Sequence, residues 1–111
     1  MLITIVELPE FQRRAKGLLS EDERAELITF VAANPETGVS LGGGIRKFRF
    51  ARDGGGKSGG FRVVHLYHAG AGPVFLLTIF TKNEKPSLTK TETATLIALG
   101  QQIATIYGKA R

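Results

Sequence analysis

Residues 74–80 read VFLLTIF, apolar at every position except Thr78. A strand with one wet face alternates polar and apolar side chains, so a strand that does not alternate is buried on both faces. The run is far shorter than a membrane span and rich in aromatic and branched residues, which predicts a central strand of a sheet. The chain has 111 residues, enough for one real core and too few for two.

Helices are predicted where the sequence supplies caps. Ser20 and Glu23 form a capping box ahead of Ala25, Leu27, Ile28 and Val31, which recur at helical spacing until NPETG stops them. Thr89 and Glu92 form a second box, opening a helix to about Gly108 with Leu96, Leu99, Ile103 and Ile106 along one face. PEFQRRAKGLL reads as a short helix opened by Pro9 and stopped near Gly17. Residues 2–7, 45–51 and 61–68 read as further strands. The expected order is β-α-α-β-β-β-α, an α+β fold in a single domain spanning residues 1–111, with no repeat and no linker.

Formal net charge is +5, and it is concentrated. Between Gly42 and Lys85 eight Lys/Arg face two acids, net +6; the remainder holds seven against eight, net −1. A basic middle points to an anionic partner. The absence of cysteine removes disulfide and thiolate chemistry. The start, MLITIVELPEFQRR, places its basic residues after a short apolar run, unlike a signal peptide, so a cytoplasmic protein is expected.

ARDGGGKSGGFR (51–62) is a loose match to a nucleotide-binding phosphate loop. Such a loop works because glycines let backbone N–H groups surround phosphate at a helix N-terminus, so the Lys-Ser must begin a helix. Here GGFRVVHLY follows, and it reads as a strand. The stretch is instead expected to be a flexible hairpin connection, its five glycines permitting the turn at little steric cost. Arg52 and Lys57 make it basic as well, and Lys57 is expected to reach RNA phosphates from it.

Alternation along IRKFRF sends Lys47 and Arg49 to one face and Arg46, Phe48 and Phe50 to the other. In FRVVHLYH, Arg62 shares a face with Val64 and Leu66, and TKNEK puts Lys82 and Lys85 at a strand end. If these strands are neighbours, the cations converge on one patch suited to a polyanion. His65 shares its face with Phe61, Val63 and Tyr67, which suits a packed histidine better than a catalytic one. Two histidines with no cysteine and no clustered carboxylates give no metal site. No cofactor is expected.

ANPETG, GGGIRKFRFA, GGGKSGGFRVVHLY and FLLTIFTKNEK together resemble the RelE/ParE superfamily of toxins from type II toxin–antitoxin systems, and within it the HigB-like branch. The resemblance covers roughly residues 1–105. It implies a curved, mostly antiparallel sheet backed by two N-terminal helices and a C-terminal one. It implies a ribosome-dependent endoribonuclease that cuts mRNA in the 30S A site. It also implies a cognate antitoxin, in this branch a helix-turn-helix protein of the HigA kind, through which alone the pair touches operator DNA. The family's paired strand cations match Lys47 and Arg49, and its phosphate-binding arginine matches Arg62. Its late basic cluster matches KNEK, with Asn83 where RelE carries an arginine and Leu88 near the place of its stacking tyrosine.

Metal-free RNA cleavage by 2′-OH attack needs a base, charge stabilisation and an acid. Lysine among other cations can accept a proton; arginine cannot at neutral pH and serves as a bidentate phosphate clamp. Lys47 is therefore the candidate base, Arg49 and Arg62 the clamps, and Lys82 or Lys85 the acid. Arg46, Arg52, Lys57 and Lys85 are candidate RNA and ribosome contacts. Two other functions remain open at this stage: a ParE-like poison of DNA gyrase, and a non-enzymatic basic domain that binds RNA or the ribosome.

Overall fold

The apolar run becomes β5 (Val74–Thr81), and every residue of 74–80 is buried. In this computed structural model, which describes residues 3–51, 60–68, 72–85 and 87–109, β5 lies between two partners. It pairs in parallel with β1 (Ile5–Glu7) and antiparallel with β4 (Gly60–Leu66). Next to β4 runs β3 (Ile45–Ala51), also antiparallel, and β2 (Val39–Gly42) closes the edge, giving the order β1-β5-β4-β3-β2.

β2 corrects the expected order, which becomes β-α-α-β-β-β-β-α. Its residues, VSLG, lie largely exposed at a sheet edge, where no buried face imposes an alternating pattern on the sequence. The turn joining it to β3 uses Gly43 and Gly44 at φ +61° and +84°. Positive φ at both central positions matches the twist of a two-residue hairpin, and only glycine adopts it freely. β1 begins at Ile5 rather than at residue 2.

Helices α1 (Pro9–Leu18), α2 (Glu21–Ala33) and α3 (Lys90–Lys109) begin where the caps predict. At α2 the Glu23 amide donates to Ser20 Oγ at 3.1 Å, and the Ser20 amide donates to Glu23 Oε1 at 2.9 Å. Thr89 and Glu92 repeat the exchange at α3, at 3.0 and 2.9 Å. Each box satisfies two helix N–H groups that otherwise lack a partner.

The helices cover the sheet unequally. On one face Phe11 and Ala15 of α1 and Leu27 and Val31 of α2 pack on Phe48, Phe61, Val63, Leu76 and Ile79. On the other, Leu96, Ile97, Leu99 and Ile103 of α3 pack on Ile45, Leu66, Phe75 and their neighbours. Helix and sheet approach closely there, since a β-carbon on Gly100 would stand 2.9 Å from Ile45 Cδ1. Ile106, expected in the buried stripe, is 64% exposed, and Tyr107, itself 41% exposed, makes the contact instead, edge-on to Phe75 at 5.0 Å between centroids. A stripe that steps by 3.6 residues from Leu96 through Ile103 arrives at 107, not 106.

Candidate nucleic-acid interface

The face under α3 changes character along the strands. The register sets its side chains in rows across β3, β4 and β5. Ile45, Leu66 and Phe75 form an apolar row against the helix. Lys47, Val64 and Thr78 come next, then Arg49, Arg62 and Phe80, and last Ala51 beside Gly60. Lys47, Arg49 and Arg62 thus meet on one face, as the alternation implied. Lys47 and Arg62 are half-buried and Arg49 is exposed.

Arg49 stands directly opposite Arg62. Like charges at such a pair repel, and folding gains nothing from it. Among the described residues Arg62 Nη1 is moreover buried without a hydrogen-bond partner. A guanidinium donor withheld from both water and protein is costly unless a ligand uses it. No ion pair to Lys47 is present among the described residues. The trio therefore places three cations together on one face of the sheet.

The other sequence candidates are placed differently. Arg46 points to the opposite face, where its guanidinium donates to the carbonyls of Thr37 at 3.2 Å and Gly38 at 2.9 Å. It holds the α2–β2 connection instead of joining the cation face. Lys85 pairs with Glu92 Oε2 at 2.5 Å and lies 5.4 Å from the Phe80 ring centroid. Its hydrogen bond, followed by that of the Thr89 amide, holds the Glu92 carboxyl below its ordinary range. In the same turn Glu84 pairs with Arg14, which depresses its carboxyl likewise, while Arg14 Nε donates to the Ile79 carbonyl at 2.6 Å. Lys82 and Asn83 stay exposed. Lys82 follows Thr81, the partner of Phe61, and so stands at the same end of the sheet as Arg49 and Arg62. Arg52 and Lys57 lie outside the described residues. Strand β4 opens at Gly60, so no helix follows Ser58 and the phosphate-loop reading fails.

His65 is fully buried, as its face implied. Its Nε2 is 2.8 Å from the Pro35 carbonyl, which can only accept, so Nε2 carries the proton. Phe48 packs against it at 5.4 Å, edge to face. Burial pushes its pKa below the usual 6.5, and the nearby Arg46 charge adds to that effect. The histidine is a neutral structural post. Among the described residues no three His, Cys, Asp or Glu side chains gather as metal ligands.

Two features of the site were not read from the sequence. Arg14, remote in the chain from Glu84, fixes the turn that carries Lys82, and no local pattern signals such a pair. A groove of about 580 Å³, lined by Leu8, Leu77, Phe80, Leu88 and Leu96 among others, runs beside the cation rows between β5 and α3. Leu88 packs toward the core rather than presenting a stacking surface. The described phenylalanines of this face, Phe75 and Phe80, are buried, and Tyr107 lies against Phe75 at the apolar end.

Residues 5–110 match the family described as the RelE toxin of the RelE/RelB toxin–antitoxin system. Among solved structures, the chain is similar to the E. coli toxin RelE, a double arginine-to-alanine mutant in the free state. The two superpose with a TM-score of 0.60 at 14% identity, over 87% of this chain and 99% of that one. At this identity the likeness concerns the fold, a mixed α+β sheet backed by helices.

Proposed function

The chain belongs to the RelE toxin family, and from that premise we propose that it is a toxin that stops translation by cutting mRNA on the ribosome. The observation that carries this reading is the row geometry of Lys47, Arg49 and Arg62, three cations gathered on one sheet face. Arg49 and Arg62 clamp the scissile phosphate and stabilise its developing charge, where fixed donors contribute most. Lys47, one row away, takes the proton of the attacking 2′-OH. Lys82 gives a proton to the departing 5′-oxygen, since Lys85 is held by Glu92. Cleavage leaves a 2′,3′-cyclic phosphate and needs no water in the first step.

The described rows that carry the cations offer charge, but their one ring, Phe80, is buried, and they hold no histidine. Such a site depends on something else to hold the RNA in line. The ribosome does that in this reading, and positioning of this kind supplies a large part of the rate. A helix-turn-helix antitoxin of the HigA kind neutralises the toxin in the cytoplasm and alone contacts operator DNA. No described helix is long and apolar enough to cross a membrane.

The test is to map mRNA 5′ ends in cells after brief induction, alongside purified protein on programmed ribosomes. New ends should fall within translated frames, and free RNA should survive. Equal cleavage of free and ribosome-bound RNA, or growth arrest with intact mRNA, sinks the proposal; the latter would favour gyrase.

A further inference from the structure

We infer that Gly60 is a positioning residue of the phosphate site: its missing side chain is the space into which Arg49 and Arg62 converge. This rests on the clamp reading above. Gly60 lies opposite Ala51 at the end of the β3–β4 ladder, on the same face as Arg49 and Arg62. A β-carbon there would stand 2.8 Å from Arg49 Nε, 3.2 Å from Arg49 Cγ and 3.5 Å from Arg62 Nη1. Its three nearest neighbours all belong to the two clamp arginines.

Gly60 is not required by the backbone. It is absent from the glycines with positive φ, so an ordinary residue suits its conformation. Glycine within a strand weakens it and commonly marks a close approach. Here what approaches is the arginine pair. Arg49 is exposed and its side chain is long, so an added methyl moves the guanidinium and leaves the strand in place. Arg62 Nη1, buried and without a partner among the described residues, sits at ordinary contact distance from that β-carbon. The substitution therefore separates one half of the clamp from the other.

Gly60→Ala should retain the wild-type melting temperature and lose roughly 10²-fold in kcat on programmed ribosomes, the scale of a displacement near 1 Å. KM should change little, because ribosome contacts lie elsewhere. In an Arg49→Ala background the same substitution should cost less than about threefold, since the group it moves is gone. A wild-type cleavage rate in Gly60→Ala, or an equal loss with and without Arg49, overturns the inference. So does a fall in melting temperature beyond about 5 °C, which would make the residue structural. A second arm does not depend on RNA cleavage. Pyrophosphate titrated into the free protein should shift the Arg49 and Arg62 Nε–H resonances together, and Gly60→Ala should weaken that binding about tenfold, the loss of one charge-assisted contact. If the protein cuts no RNA, this arm alone decides the role of Gly60; unchanged affinity, or no binding by the wild type, refutes it.

Discussion

One sheet presents two faces, and they use their cations in opposite ways. On the α1/α2 face Arg46 and His65 are both directed at backbone carbonyls of the α2–β2 connection, at Thr37, Gly38 and Pro35. On the α3 face Lys47, Arg49 and Arg62 gather with like charges opposed and, among the described residues, no partner for Arg62 Nη1. Adjacent residues of one strand, Arg46 and Lys47, thus fall on different sides of this division. A cation that completes the protein's own hydrogen bonding is structural. A cation left without an ion pair, as Lys47 is among the described residues, is a candidate for binding something else.

The difference should be sharpest under truncation. Phe48→Ala on the packed face removes a ring that contacts both His65 and Phe30 and should cost about 3–5 kcal/mol, read by urea denaturation. For a domain of ordinary stability that approaches unfolding. Lys47→Ala, one residue away, should leave stability within about 0.5 kcal/mol while lowering cleavage on ribosomes by ~10²–10⁴-fold. If Lys47→Ala cuts at the normal rate, the base is another group and the division between the faces does not mark catalysis.

Acid should single out the packed face next. His65 is kept neutral by burial, so its folded pKa lies below 6.5. Above that value neither folded nor unfolded histidine binds a proton, and this group makes stability independent of pH. Below it the unfolded chain takes a proton first, so stability falls as pH drops, by up to about 1.4 kcal/mol per pH unit until the folded histidine also titrates. His65→Gln should flatten this part of the stability profile as pH falls below 6.5. An unchanged slope would mean that His65 is protonated in the fold.

The smallest effects separate two lysines of one turn. Lys85→Ala breaks an exposed pair with Glu92 and should shift stability by no more than about 1 kcal/mol. The salt dependence of ribosome binding should stay as it was. Lys82→Ala should leave stability alone and lower the slope of log affinity against log salt by about 0.7–0.9, one phosphate contact's share. Equal slopes for both variants would show that the pair with Glu92 opens on the ribosome.

Much of this was legible in the sequence because it is written in local pattern. Caps at Ser20 and Thr89 announce helix starts through contacts three residues apart, and VFLLTIF announces burial by its lack of alternation. Lys47 and Arg49 could be assigned to one face from the two-residue period alone. β2 escaped because an exposed edge strand has no face to declare. Arg46, Lys85 and Arg14 escaped for another reason: a side chain's partner is set by tertiary contacts. Arg14 meets Glu84 across most of the chain, and Arg46 meets Thr37 around a turn whose path the residue types do not specify. Sequence period indicates which way a cation points, and the fold decides what it meets there.

Parallel pairing of β1 with β5 has a bearing on when the molecule becomes whole. Ile5 aligns with Val74, so β1 has no neighbour in the sheet until β5 has been synthesised. Hairpins β2–β3 and β3–β4 can close as they emerge; β1 and the α1 residues that pack on β5 must wait. Contacts between distant parts of a chain are slow to form, and parallel ones need a long crossover besides. β1 is therefore the last strand to find its place, and a nascent molecule acquires its finished sheet only after β5 has been made.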